Sequence, residues 1–123
     1  MKIEELRIGN ILQLDNGNLV SVVWFKLGKA CILEVGKDYP TAMVDLERLS
    51  PILLSEEILF KCGFKENGFG GIFIITNNPS VLCLYKDGSA KWNDRYLDVK
   101  IKHLHQLQNL YYALTGKELE VKL

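Results

Sequence analysis

The sequence predicts an α+β fold. A small β-barrel-like half is expected over residues 1–50. Over residues 51–123 a helix, an antiparallel β-meander and a closing helix packed on the sheet should follow. Three observations predict it. Short β-rich runs separated by tight turns fill residues 1–50, about 8–12 residues apart, as in small barrels and sandwiches. Apolar runs bounded by Asn77-Asn78-Pro79-Ser80 and Asp87-Gly88 give a second set of strands. Near the C-terminus, Leu104, Leu107, Leu110, Tyr111 and Leu114 fall within one arc of about 120° at helical spacing, a stripe suited to covering a sheet.

In chain order, residues 11–14 form the first expected strand. Asp15-Asn16-Gly17-Asn18 turns the chain, because Asn-Gly supplies positive φ cheaply. Residues 19–25 carry Val20, Val22 and Val23 as a second strand, Leu27-Gly28-Lys29 is a turn, and residues 30–35 are a third strand. After the turn at residues 36–40, residues 41–44 can be a fourth, and residues 45–49 read as a short helical turn or a bridge leading out. Leu6-Arg7-Ile8-Gly9-Asn10 ahead of these strands resembles the opening of Src-homology-3-like and Tudor-like barrels. Such barrels often bind peptides or nucleic acid through aromatics. Trp24, Phe25 and Tyr39 are the candidates here, with Lys26 and Lys29 nearby. Trp24 and Phe25 should point to opposite faces, so at least one of them belongs to the core.

In the second half Ser55 is a good N-cap, and Glu56 and Glu57 favour the positive end of a short helix with Ile58, Leu59 and Cys62 on its apolar side. Gly63 ends it. Strands are expected over residues 69–76, 81–86, 89–93 and 95–101, then the long helix closed by Gly116. Leu119, Val121 and Leu123 alternate with charges as a terminal strand. Gly68-x-Gly70-Gly71 enters a strand rather than a helix, so it lacks the setting of a phosphate loop.

Positive and negative charges balance, 15 against 15, which argues against a chain that holds nucleic acid by electrostatics alone. Cys31, Cys62 and Cys83 are odd in number, far apart and set in apolar runs, so they read as reduced structural thiols. No apolar run reaches the ~18 residues of a membrane span, and Met1-Lys2-Ile3-Glu4-Glu5 opens without a signal-peptide core. The expected location is cytoplasmic. His103 and His105 are the only histidines. On a helix they would lie about 200° apart and could not share a metal, so no metal or cofactor is expected. Asp94, Asp98 and Glu66 could be combined into an acidic site, but nothing in their spacing demands one. The expectation is a protein that is not an enzyme.

Two surfaces stand out. No charged residue occurs over residues 103–116, and the helix face opposite the leucine stripe carries His105, Gln108, Asn109 and Tyr112. Solvated helix faces usually collect Lys and Glu. Uncharged polar groups there mean that the face is covered, either by loop backbone of the same chain or by a protein partner. The alternative surface is Lys91, Trp92 and Arg95, where cations interleave with an aromatic as in nucleic-acid binders, or where lysines protect a solvated strand edge.

Residues 105–116, His-Gln-Leu-Gln-Asn-Leu-Tyr-Tyr-Ala-Leu-Thr-Gly, resemble the C-terminal signature of a family of small uncharacterised proteins of Bacteroidetes phages and integrated mobile elements. Residues 6–10 resemble that family's opening. Residues 51–59 followed by Cys62-Gly63-Phe64 resemble its middle. The resemblance implies a phage or mobile-element origin and no particular activity. The functional expectation is an accessory protein acting by protein–protein contact, with a host protein as one candidate partner, and a nucleic-acid binding module as the alternative.

Overall fold

The structure, a computed structural model, describes residues 3–40, 42–68 and 71–123. A 3-10 turn (Ile3–Glu5) precedes β1 (Ile11–Leu14), β2 (Leu19–Lys26), β3 (Lys29–Glu34) and β4 (Ala42–Asp45), and a second 3-10 turn (Leu46–Arg48) leads into β5 (Leu49–Ser50). Then come α1 (Glu56–Lys61), β6 (Lys65–Glu66), β7 (Ile72–Asn77), β8 (Ser80–Tyr85), β9 (Ala90–Trp92), β10 (Arg95–Leu97) and α2 (Leu104–Thr115). Two antiparallel sheets and two helices make this an α+β protein. The described residues divide into two compact units. The first holds those up to Leu53 together with His103–Leu110, and the second holds Leu54–Lys102 and Tyr111–Leu123.

In the first unit the sheet order is β4-β3-β2-β1-β5. The sheet is open, with β4 and β5 at its edges, and is not a closed barrel. Strand alternation sends Leu12, Leu14, Val20, Val22, Ala30, Ile32 and Val44 inward, where Leu46 and Leu49 join them and Leu6 and Phe25 pack alongside. The ladder between β2 and β3 slips by one residue between Val22 and Trp24. This bulge puts Trp24 on the outward face while Phe25, paired with Ala30, turns to the core.

In the second unit the order is β10-β9-β8-β7-β6. Phe73, Leu82, Leu84 and Ala90 form its buried face, and Phe60 of α1 meets Phe73 edge-on at 5.8 Å. Ser55 caps α1 by accepting a hydrogen bond from the Ile58 N–H at 3.2 Å. Gly88 must remain glycine. Its φ is +90°, and an added Cβ would lie 2.9 Å from the Ile101 carbonyl oxygen.

Several expectations need correction. Residues 119–123 form no strand. Leu119 is buried and the Lys122 N–H donates to the Lys61 carbonyl at 2.9 Å, but no ladder follows. The last meander strand stops at Leu97 rather than at residue 101. The two-residue strands β5 and β6 were not expected. Thr41, at the start of the fourth expected strand, and Phe69 and Gly70, within the glycine-rich run, lie outside the described residues.

Candidate functional site

The polar face of α2 reads residue by residue against the opening loop of its own unit. Gly9, at φ +96°, donates its N–H to the Val22 carbonyl at 2.7 Å, and the Val22 N–H returns to the Asn10 carbonyl at 3.0 Å. These bonds hold the loop beside β2 before β1 begins. Asn10 is fully buried. Its Oδ1 accepts the Arg7 N–H at 2.6 Å, and its Nδ2 donates to Asn109 Oδ1 at 2.8 Å. Arg7 Nε donates to the same Asn109 oxygen at 3.2 Å, and Nη2 donates to the Gln108 carbonyl at 3.3 Å. Asn109 Nδ2 closes the circuit on the Glu5 carbonyl at 3.1 Å.

Gln108 is 2% exposed. Its Oε1 accepts the Ile11 N–H at 2.8 Å and its Nε2 donates to the Gly9 carbonyl at 3.1 Å. The side-chain amide thus copies one rung of a β-ladder, satisfying two backbone groups that would otherwise be stranded. The uncharged polar face is therefore covered within the unit at Gln108 and Asn109. Of the four residues expected to bind a partner, His105 is also buried, and Tyr112, which belongs to the second unit, is 43% exposed. Arg7 and Asn10 are the functional partners of these amides that sequence reasoning did not pair with them.

His103 and His105 do not split. His103 precedes α2 and bridges to Leu53 in antiparallel fashion, so its ring stacks on that of His105 with centroids 6.0 Å apart. The His103 N–H is capped by Gln106 Oε1 at 3.0 Å, the returning half of a capping box. Within the buried His105 ring, Nδ1 has no hydrogen-bond partner among the described residues. Burial, followed by the neighbouring His103, holds the His105 pKa below its ordinary value, with Glu5 pulling weakly the other way. Among the described residues no group of three or more His, Cys, Asp or Glu side chains is arranged to hold a metal ion.

In the second unit alternation separates the expected nucleic-acid patch. Trp92 pairs with Leu82 and Arg95, on the side of the buried core, whereas Lys91 pairs with Cys83 and Tyr96 on the outward side. Glu66 lies on edge strand β6, and Asp94 and Asp98 flank the opposite edge strand β10, so no acidic site forms from the three. A groove of about 380 Å³ runs between Phe60, Cys62, Ile75, Tyr111 and Leu119. The Cys62 thiol in it is pushed up to about 11 by burial, which keeps it protonated and unreactive at neutral pH.

The first sheet presents a different surface. Trp24, Cys31 and Met43 are directly opposed across β2, β3 and β4 on the outward face. Trp24 is 60% exposed and Met43 43%. At the tip of the same hairpin Leu27 is 93% exposed at φ +44°, beside Gly28 at φ +79°. A two-residue hairpin of this hand requires positive φ at both positions. For leucine that backbone region costs about 1–2 kcal/mol. No protein-family model, curated protein or solved structure matches this chain.

Proposed function

We propose that this chain is a non-enzymatic protein-interaction module, an accessory protein of a phage or mobile element that acts in the cytoplasm on a protein partner, a host protein among the candidates. The observation that carries the reading is Trp24, 60% exposed in one outward row with Cys31 and Met43. Large exposed aromatics beside apolar neighbours are what interface hot spots are made of. Leu27 supports it, because a strained backbone bearing an apolar side chain in water gains nothing inside its own unit. The surface is placed here rather than on α2 because Gln108 and Asn109 are spent on the opening loop.

We further read the first unit as a Src-homology-3-like half. In favour are five short strands in the order β5-β1-β2-β3-β4, the bulge in β2 and the 3-10 turn between β4 and β5. Against catalysis stand the protonated Cys62 thiol and the buried His105 ring.

The test is capture by the immobilised chain from nuclease-treated bacterial host lysate, comparing the unaltered protein with Trp24→Ser and Tyr96→Ala. A stoichiometric protein held by the unaltered chain and by Tyr96→Ala, and lost by a folded Trp24→Ser, is the expected result. Equal retention by a folded Trp24→Ser, or no stoichiometric protein held from the nuclease-treated lysate, contradicts it.

A further inference from the structure

The outward face of the second sheet is unusual for a solvated antiparallel layer. Such layers alternate apolar inward with polar outward. Here Ile72-Phe73-Ile74-Ile75 and Val81-Leu82-Cys83-Leu84-Tyr85 are apolar on both faces. The inward set includes Phe73, Leu82 and Leu84, each at most 3% exposed, and the half-buried Ile75 opposite Leu82. The outward set includes Ile74, Cys83 and Tyr85, none of them fully buried.

One cross-strand row spans the whole outward face. Lys65 pairs with Ile74, Ile74 with Cys83, Cys83 with Lys91, and Lys91 with Tyr96. At ~4.8 Å between strands the row is about 19 Å long. Tyr96 stands 68% exposed at one end. Tyr85 lies beside it, ring centroids 6.1 Å apart and planes 31° from parallel. The Lys91 ammonium sits 4.8 Å from the Tyr96 ring centroid. The charged side chains in the row are both cations, Lys65 and Lys91. Asp94, at the β9–β10 turn, is the carboxylate felt from this side, since it and Lys91 act in opposite directions on the Cys83 thiol.

We infer that this face binds single-stranded nucleic acid, with Tyr96 and Tyr85 stacking bases and Lys91 and Lys65 holding backbone phosphates. Two features favour this occupant over a protein. Neighbouring aromatic rings on an open sheet, here tilted 31° to one another, offer planar platforms that any base can use. Cations within the row complement a polyanion, while an apolar protein surface would have to bury them. The site takes no residue from the Trp24 surface and stands or falls separately from it.

The experiment is fluorescence anisotropy of labelled oligonucleotides of about ten nucleotides, one arm deoxythymidine and one arm uridine, titrated with the full chain between about 50 and 200 mM salt. Preference for one arm identifies DNA or RNA as the source of the ligand. Tyr96→Ala is expected to weaken binding about tenfold, and Tyr96→Phe, which keeps the ring, to bind as the unaltered chain does. Lys91→Gln and Lys65→Gln should each flatten the slope of log affinity against log salt by about 0.7. Trp24→Ser should leave affinity unchanged, which separates this site from the protein-binding surface.

Should Tyr96→Ala fail to fold, the lysine variants and their salt slopes decide. Absence of binding at the lowest salt overturns the inference. So does binding indifferent to both Tyr96→Ala and the lysine variants, or a protein whose capture depends on Tyr96.

Discussion

In the first unit the opening loop is held against α2 by side-chain amides. Gln108 bonds Ile11 N–H and Gly9 C=O, and Asn109 bonds Arg7, Asn10 and the Glu5 carbonyl. In the second unit the sheet is held from its inward side by Phe73, Leu82, Leu84 and Ala90, and its side-chain hydrogen bonds include Ser89 to Asp87 and Asn93 to Ser80, the latter 13 residues apart. The two devices fail differently. Apolar contact is lost in proportion to the area removed, and neighbours partly relax into the gap. An amide bonded at both ends leaves two part-buried backbone groups without their partner when it is removed. A helix face without charge can therefore be spent on its own chain.

The comparison can be broken first from the apolar side. Phe73→Ala should cost about 4 kcal/mol in urea unfolding, the range for a buried aromatic truncated in a core. A cost below about 1 kcal/mol would mean that the inward face of the second sheet is loosely packed. Next in size is Gln108→Ala. Two part-buried backbone groups lose their partners; fully buried groups cost about 1–3 kcal/mol each, so a loss of about 2 kcal/mol is expected here. The conservative variant Gln108→Glu should also destabilise, because it removes the donor to Gly9 and buries a charge. If Gln108→Glu matched the unaltered protein, the amide would not be acting as a two-ended rung.

The smallest effect is with acid. His105 is held below the ordinary histidine value, first by burial and then by His103. A group depressed on folding adds stability above its unfolded value, about 6.5, and that stability drains away as pH falls through the folded value. Stability in urea should thus be level from pH 8 to about 7 and decline below about 6.5. His105→Phe, which also removes the unpaired Nδ1, should take out that part of the decline. An unchanged acid profile in His105→Phe would assign the loss to carboxylates instead.

Much of the fold was legible because its signals are local. Asn16-Gly17 and Asp87-Gly88 turn the chain where expected, Ser55 caps α1, and the leucine stripe marks α2. The two-residue strands β5 and β6 were not legible, since two residues carry no periodicity. The histidine pair was misread over a single position. His103 lies one residue ahead of the helix, so helical spacing does not govern its ring. The Lys91-Trp92-Arg95 patch mixed neighbours that strand alternation sends to opposite faces, a separation that period-2 reasoning could have made.

The α2 face itself was legible as covered but not in what covers it. Gln108 and Ile11 lie 97 residues apart, and no local pattern links an amide on a helix to a backbone group that far away. Two of the stretches that carry the family resemblance, Arg7-Ile8-Gly9-Asn10 and Gln108-Asn109, touch each other.

The most direct measurement is native-state hydrogen exchange at the Ile11 amide. If Gln108 holds it as a buried ladder rung, Ile11 should exchange as slowly as the β1 and β2 ladder amides in the unaltered protein. In Gln108→Ala it should become fast while the β7 and β8 amides stay protected. Fast exchange at Ile11 in the unaltered protein would contradict the account. It would return the polar face of α2 to the surfaces available for a partner.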